Sequence, residues 1–164
     1  MPNLLEVAAP AVMKVLSVGE GTRTFVGTAF SVNDKFVLTC RHVVQAPPPA
    51  PPPARTPVLD GGPLGDVGLK WIPHDEPELD VALGVTQNAT FRDWLTPVCV
   101  DVAALTNRIT CVGYGSEDRG LESWSDHVGG AIRRYGLVSV QNSLHRGCSG
   151  GPCWTSSGTL SLSM

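Results

Sequence analysis

The sequence predicts an all-β protein, and two observations support this fold class. Segments with apolar and β-branched residues recur along the chain, and turns rich in Gly, Pro, Asn and Ser separate them. No long segment shows the periodicity of an amphipathic helix. The chain has 164 residues, of which 42% are hydrophobic, so it can form one compact domain with a buried core.

The strand pattern occurs in both parts of the chain. In the first part we predict strands over residues 11–17, 24–32, 35–39, 67–72 and 80–85. In the second part we predict strands over residues 108–114, 136–142, 151–155 and 159–163. Asn33 and Asp34 form a typical turn sequence between two of these segments, which predicts a hairpin.

Two segments are interpreted as loops. Residues 46–57 are mostly Pro and Ala, which predicts an extended polyproline stretch. A stiff surface loop is the favoured interpretation, and a ligand for a proline-binding module is the alternative. Residues 115–135 contain Gly, Ser, Asp and Glu, followed by Arg133 and Arg134, and we interpret them as a mobile loop.

The hexapeptide 147–152, Gly-Cys-Ser-Gly-Gly-Pro, places Ser149 among glycines. Glycine adopts positive φ at little cost, so this segment can turn sharply and expose the Ser149 hydroxyl. The same turn can direct the backbone N–H groups of Gly147 and Ser149 to one point, which is how an oxyanion hole is built. An ordinary Gly-Ser loop without a function is the alternative.

A serine nucleophile needs a base and a group that orients the base, and two upstream segments offer them. His42 comes just after the strand predicted over residues 35–39. Asp80 begins the apolar run 80–85, where a partly desolvated carboxylate needs a hydrogen-bond partner. The Nδ1–H group of His42 is the expected partner. The order His42, Asp80, Ser149 therefore predicts a serine endopeptidase.

Two other interpretations of the hexapeptide are weaker. The spacing of Gly147, Ser149 and Gly151 also matches the nucleophile elbow of α/β-hydrolases, in which the acid and the His follow the Ser. Residues 150–164 contain neither His nor an acidic residue, so the chain order disfavours that fold. Cys148 is a second candidate nucleophile. Because Ser149 occupies the position before the two glycines, Cys148 is interpreted as a small, semi-buried side chain.

Five segments follow one another in a characteristic order over most of the chain. They are 27–30 (Gly-Thr-Ala-Phe), 38–44 (Leu-Thr-Cys-Arg-His-Val-Val), 80–83 (Asp-Val-Ala-Leu), 112–114 (Val-Gly-Tyr) and 147–152. Together they resemble the chymotrypsin-like (trypsin-like) serine peptidases, especially the short bacterial branch without disulfides. The resemblance implies one peptidase domain, 1–164, made of two packed antiparallel Greek-key β-barrels, about residues 8–100 and 101–164. It places the catalytic triad in the cleft between them.

The resemblance also bears on specificity and completeness. It implies that the floor of the substrate pocket lies about six positions before the nucleophile, at Ser143, whose small polar side chain suits an uncharged or hydrophobic substrate residue. Members of the family continue after the hexapeptide with more strands than residues 153–164 supply, so we expect an incomplete second barrel. The alternative function is a catalytically impaired fragment or remnant, which acts as a binding module or as part of a larger multidomain effector. None of these functions requires a metal or a cofactor.

The cysteines and the charge bear on compartment and partners. The five cysteines are an odd number, without a Cys-x-x-Cys pair: Cys40, Cys99, Cys111, Cys148 and Cys153. The disulfide that secreted relatives place beside the catalytic His is missing from the pattern, and the first residues lack a signal-peptide pattern. We therefore expect a cytoplasmic location. The formal net charge of −3 does not favour nucleic acid or an anionic membrane, so the expected partner is a polypeptide substrate.

Overall fold

The computed structural model describes residues 3–45, 56–62, 65–76, 79–96, 108–132, 137–140, 149–155 and 160–162. For residues 127–132, 137–140, 155 and 160–162 it describes the backbone. These ranges contain two short helices, and the rest of their regular structure is β-strand. The all-β prediction is therefore confirmed.

The elements follow the chain in an order that separates two sheets. The helices are α1 (Leu4–Ala8) and α2 (Arg41–Val44). The first set of strands is β1 (Val12–Gly19), β2 (Thr22–Ser31), β3 (Phe36–Thr39), β4 (Thr56–Asp60), β5 (Asp66–Pro73) and β6 (Ala82–Thr86). The second set is β7 (Arg108–Tyr114), β8 (Leu121–Ile132), β9 (Leu137–Val140), β10 (Pro152–Thr155) and β11 (Leu160–Leu162). Each strand predicted from the sequence is present, with boundaries that differ by at most two residues.

The first six strands form a closed antiparallel barrel in the order β1-β2-β3-β6-β5-β4. The turn between β2 and β3 is stabilised by Asn33, whose side-chain oxygen accepts hydrogen bonds from the N–H groups of Lys35 and Phe36 at 2.8 and 2.7 Å. Small and branched side chains fill one core cluster of this part of the chain: Val15, Ala29, Val37, Cys40, Val43, Leu59 and Val67. The predicted hairpin over 24–39 is thus part of a barrel wall with a packed interior.

The remaining strands form a second sheet in the order β11-β10-β7-β8-β9. Within the described residues this sheet is open, in agreement with the expected incomplete second barrel. A second core cluster joins α1 and the first barrel to this sheet: Ala8, Val12, Phe30, Val112 and Trp154. The expected boundary near residue 100 falls in 97–107, outside the described residues, and stays a prediction.

Four elements were not predicted from the sequence: β8, β4, α1 and the single helical turn α2. The interpretation of 115–135 as a loop is wrong, because β8 occupies Leu121–Ile132 and pairs with β7 from Leu121 opposite Tyr114 to His127 opposite Arg108. Most of the residues in this strand are polar or glycine, so it lacks a run of apolar residues and its conformation depends on its partner strands. Similarly, β4 begins within the Pro-rich segment and pairs with β1 and β5.

The third missed element is α1, which is only five residues long. Its capping box was present in the sequence: the Asn3 side chain accepts from the first turn, and the Glu6 side chain accepts from the N–H of Asn3. Because such a short helix has little propensity of its own, packing of Ala8 in the second core cluster stabilises it. Neither of the described helices is long or apolar enough to span a bilayer.

The cysteine pairing also differs from expectation. Cys111 on β7 and Cys153 on β10 lie opposite each other and form a disulfide, so the assignment to a branch without disulfides is wrong for this chain. Their Cα atoms are 4.1 Å apart. The two cysteines are 42 residues apart in the sequence, so the sequence does not reveal that they lie directly opposite each other on neighbouring strands. Disulfides are rare in cytosolic proteins, so this pair weighs against the expected cytoplasmic location, which stays a prediction.

Candidate active site

His42 lies in α2, the single helical turn that follows β3. The end of β3 is held on both sides, since Thr39 is paired with Ala29 of β2 and with Ala82 of β6. This pairing fixes the backbone two residues before α2 begins. The side chain of His42 is therefore held in place by the rigid barrel wall, although it projects from the end of that wall.

Asp80 lies two residues before β6, next to His42. Its Oδ1 atom accepts a hydrogen bond from the backbone N–H of His42 at 2.9 Å, and its Oδ2 atom is hydrogen-bonded to the Nδ1 atom of the His42 ring. The backbone carbonyl of Asp80 accepts from the N–H of Arg41 at 3.2 Å. The structure thus brings together the two side chains that the sequence analysis proposed as base and orienting acid.

These contacts determine the tautomer of His42. An ionised carboxylate only accepts hydrogen bonds, so Nδ1 carries the proton and donates it to Asp80. In the neutral imidazole the other nitrogen, Nε2, then has a free lone pair and can accept a proton. The His42 side chain is 57% exposed and the Asp80 side chain 37% exposed, so the ring is accessible from solution while its acid partner is more enclosed.

Ser149 begins a turn that packs directly against the first barrel. Its backbone carbonyl accepts a hydrogen bond from the N–H of Thr28 at 2.9 Å. The next residue, Gly150, has φ of 90°, and a Cβ atom there would lie 2.1 Å from the carbonyl oxygen of Thr28 and 2.2 Å from Oγ1 of Thr39. Only glycine fits this conformation and this space. The turn is therefore held against the end of β3, close in sequence to His42.

Thr28 connects this turn to both sheets. Its side-chain oxygen accepts the backbone N–H of Tyr114 on β7 at 3.0 Å, and its carbonyl accepts the Thr39 hydroxyl at 2.7 Å. Together with the bond to Ser149, these contacts use three polar groups of one fully buried residue. Thr28 therefore holds together the first barrel, the second sheet and the Ser149 turn.

Gly27 permits a close approach of α2 to this region. A Cβ atom at Gly27 would lie 2.8 Å from both γ-carbons of Val43 and 3.1 Å from the carbonyl oxygen of Ser149. Because Gly27 has no side chain, three parts of the structure can pack closely here: β2, the helix α2 that carries His42, and the turn that begins at Ser149. The segment 27–30 contributed to the family resemblance, and this contact is its physical role.

Cys40 is buried between the two parts of the site, with 2% of its surface exposed. Its sulfur atom lies within 4.8 Å of an Asp80 carboxylate oxygen and of a His42 ring nitrogen, and its backbone N atom lies 3.0 Å from the position of a Cβ atom at Gly150. Burial, and secondly the charge of Asp80, raise the pKa of the Cys40 thiol to about 12. Cys40 is therefore a neutral thiol at physiological pH and a poor nucleophile.

Cys40, His42 and Asp80 also have the donor atoms of a metal site, and these atoms lie within 4.8 Å of one another. His42 and Asp80 are in direct hydrogen-bonding contact, which leaves no space for an ion between them. These two side chains are therefore arranged as a hydrogen-bonded pair.

Three residues considered for the site lie in 141–148, outside the described residues: Ser143, Gly147 and Cys148. The substrate-pocket floor and the first oxyanion donor stay predictions. The sequence pattern alone predicts no role for Cys40 or Thr28. Both residues stood within the motifs that carried the resemblance, but their partners are distant in sequence and only the fold brings them into contact.

A groove of about 810 Å³ lies elsewhere on the first barrel. Its lining comes from the start of β4, the first half of β5 and the segment after β6: Thr56, Asp66, Val67, Gly68, Leu69, Lys70, Gln87, Asn88, Ala89 and Thr90. Asp80 precedes the first residue of β6, whereas the groove follows its last residue. The groove is therefore separate from the site of His42 and Asp80.

The match to a family model decides which family contains this chain. Residues 27–161 match the model of the trypsin-like peptidase domain, and this range includes most of the chain. The chain belongs to the trypsin-like peptidase family. No curated protein matches the sequence closely.

Solved structures share the fold of this trypsin-like peptidase domain at low sequence identity. A serine endoprotease from Yersinia pestis has a TM-score of 0.66 and 18% identity, with 98% of this chain and 56% of that chain covered. The HtrA-type protease AlgW with a tripeptide has a TM-score of 0.65 and 15% identity, with coverages of 95% and 50%. The thermostable serine protease AL20, from an extremophilic microorganism, has a TM-score of 0.68 and 14% identity, with coverages of 93% and 82%. The chain thus spans about half the length of the first two proteins.

Proposed function

We propose that this trypsin-like peptidase domain is a serine endopeptidase that cleaves polypeptides through His42, Asp80 and Ser149. The observation that carries the proposal is the hydrogen bond from His42 to Asp80 beside a turn that begins at Ser149. Family membership supports the same chemistry. A polypeptide is the proposed substrate, and no cofactor is needed because the three side chains supply base, acid and nucleophile.

In the first step the Ser149 hydroxyl attacks the carbonyl carbon of the scissile bond, and Nε2 of His42 takes its proton. The imidazolium that forms is stabilised by the Asp80 carboxylate at Nδ1. The backbone N–H groups of Gly147 and Ser149 are the proposed donors to the oxyanion of the tetrahedral intermediate. Loss of one such donor typically lowers kcat by about 10²–10³-fold.

In the second step His42 returns the proton to the leaving amine, and the C–N bond breaks to leave an acyl ester on Ser149. Water then attacks this ester, with His42 again as the base, and releases the carboxylic acid and the free hydroxyl. Ser143 is the proposed floor of the pocket for the residue before the scissile bond. Because its side chain is uncharged, we expect a preference for uncharged or hydrophobic residues, and Ser143→Asp should add cleavage after Arg or Lys.

Labelling with a fluorophosphonate probe tests this function, because the probe reacts only with an activated serine. We expect labelling of the wild-type chain and its loss in both Ser149→Ala and His42→Ala. Matched controls are Ser123→Ala and His74→Ala, which change an exposed serine on β8 and an exposed histidine after β5. Both controls should label like the wild type. Labelling that survives in Ser149→Ala would contradict the assignment of the nucleophile.

A non-catalytic role is the second candidate, as a binding module or as part of a larger multidomain protein. Two observations favour it: the second sheet is open within the described residues, and two of the similar structures are about twice as long. The same experiment separates the candidates. A folded wild-type chain that does not label would favour the non-catalytic role, with folding checked by a cooperative thermal transition.

A further inference from the structure

One buried cysteine lies against both parts of the candidate active site. Cys40 lies two residues before His42, and its sulfur atom lies within 4.8 Å of an Asp80 carboxylate oxygen. Gly150, the residue after Ser149, packs against the backbone of Cys40. The backbone N atom of Cys40 lies 3.0 Å from the position of a Cβ atom at Gly150, so the turn is packed tightly against this residue.

The Asp80 carboxylate has two donors in the hydrogen bonds described above, and both come from His42. The Asp80 side chain is 37% exposed, so solvent competes for the carboxylate on the open side. A hydrogen bond from the buried Cys40 thiol would give the carboxylate a donor that does not move with the His42 ring. Such a contact would restrict rotation of Asp80, and a carboxylate with fixed orientation holds the imidazole in one direction.

We propose that Cys40 is a positioning residue for the site, whose thiol donates a hydrogen bond to the acid behind His42 while its backbone packs against the turn that carries Ser149. This inference rests on the proposed function, because positioning matters only if the three side chains react together. Cys40 itself contacts no substrate and takes no part in proton transfer. Its proton stays on sulfur under physiological conditions, as the pKa of about 12 requires, so the thiol remains a donor throughout.

A packing role is the competing explanation, since Cys40 also belongs to the first core cluster. Two variants separate the explanations: Cys40→Ser keeps a donor and an acceptor at this position, whereas Cys40→Ala removes both. They have almost the same size, so both lose similar packing. A hydrogen-bonding role therefore predicts a difference between them, and a packing role predicts none.

The first measurement is the rate of fluorophosphonate labelling of Ser149 in the full chain. We expect Cys40→Ala to label about tenfold more slowly than the wild type, which corresponds to about 1.4 kcal/mol of activation free energy. Cys40→Ser should recover most of this rate. Equal rates in the Ala and Ser variants, both folded, would overturn the proposal. If Cys40→Ala does not fold, Cys40→Val and Cys40→Thr replace the first two variants. Both side chains are larger, and of the two only Thr has a hydroxyl group.

The second measurement does not depend on catalysis. In a Ser149→Ala background the Nδ1 proton of His42 is followed as a downfield NMR resonance, together with its exchange with water. We expect the resonance to broaden and exchange faster with Cys40→Ala and to remain sharp with Cys40→Ser. If the folded chain with Ser149 intact did not label, this NMR difference would support the positioning role while the proposed function was rejected. Identical resonances in the two variants would overturn the positioning role.

Discussion

The backbone N–H of Thr28 donates a hydrogen bond to the carbonyl oxygen of Ser149 at 2.9 Å. The residue proposed as nucleophile is thus held by β2, a strand of the barrel that also carries His42 and Asp80. Strands that follow Ser149 belong to the second sheet, so the contact joins the site across the two sheets. The hydrogen bond to Ser149 uses the backbone of Thr28, so it remains when the side chain is substituted. The backbone contact with Ser149 and the side-chain contact with Tyr114 can therefore be tested separately.

Thr28→Val tests the link from Thr28 to the second sheet. Valine keeps the shape of the side chain but removes Oγ1, the acceptor for the backbone N–H of Tyr114. We expect a loss of about 1–2 kcal/mol in the free energy of unfolding, measured with urea, because a partly buried N–H loses its partner. Amide hydrogen exchange at Tyr114 should become faster in this variant and stay slow in Thr28→Ser. Equal exchange rates in the two variants would show that the Oγ1 contact does not protect this amide.

Gly150→Ala tests whether the Ser149 turn requires glycine. The new methyl group would lie 2.1 Å from the Thr28 carbonyl oxygen, so the turn must move. A displacement of about 1 Å at a reacting group can cost about 10²-fold in rate, and we expect at least this loss of fluorophosphonate labelling.

The matched control is Gly21→Ala, which also changes a glycine with positive φ, at 66°, but has open space around it. It should lower stability by about 1–2 kcal/mol through backbone strain and leave the labelling rate unchanged. If both variants label alike, steric contact with Thr28 is not what requires Gly150.

Asp80→Asn tests the orientation of His42. An amide has one accepting oxygen, whereas Asp80 accepts from both the backbone N–H and the ring of His42. If the oxygen stays on the backbone N–H, the amide NH₂ faces Nδ1 and favours the tautomer with the proton on Nε2, which cannot act as a base. We expect labelling to fall by about 10⁴-fold, as in triads where the same change was made. Asp75→Asn, at an exposed position, is the control and should label normally; a small effect at Asp80 would contradict its role.

Strands were predictable where the sequence carries its own signal. The segment 108–114 has three consecutive buried residues at its centre, 111–113, and its predicted boundaries match those of β7. By contrast, β8 and β4 contain polar residues and a proline. Their strand conformation depends on pairing with neighbouring strands, which cannot be identified from the sequence. Local pattern therefore predicted the strands with a run of apolar residues and missed those that pairing determines, although β4 contributes Leu59 to the core.

The candidate site shows the same division. His42 and Asp80 were predicted from local context and order, and they lie in hydrogen-bonding contact. Cys40 lies close to Asp80 and Gly150, residues that are far from it along the chain, so its position between them follows only from the fold. The Cys111–Cys153 pair likewise depends on the register of β7 against β10. Sequence patterns predicted the side chains that we propose to react, whereas the groups that support them required the structure.

The buried thiol of Cys40 predicts that stability falls with rising pH. Burial raises its pKa from 9.0 to about 12 in the folded chain, so between these values the unfolded chain loses the thiol proton while the folded chain keeps it. The stabilisation is complete below about pH 9 and decreases above it, with a limiting slope of about 1.4 kcal/mol per pH unit. Urea unfolding of the wild type and of Cys40→Ala between pH 8 and pH 11 measures this contribution. We expect the two unfolding free energies to converge as the pH rises, because the variant has no thiol to ionise. Parallel curves would mean that Cys40 ionises equally easily in the folded and unfolded chains.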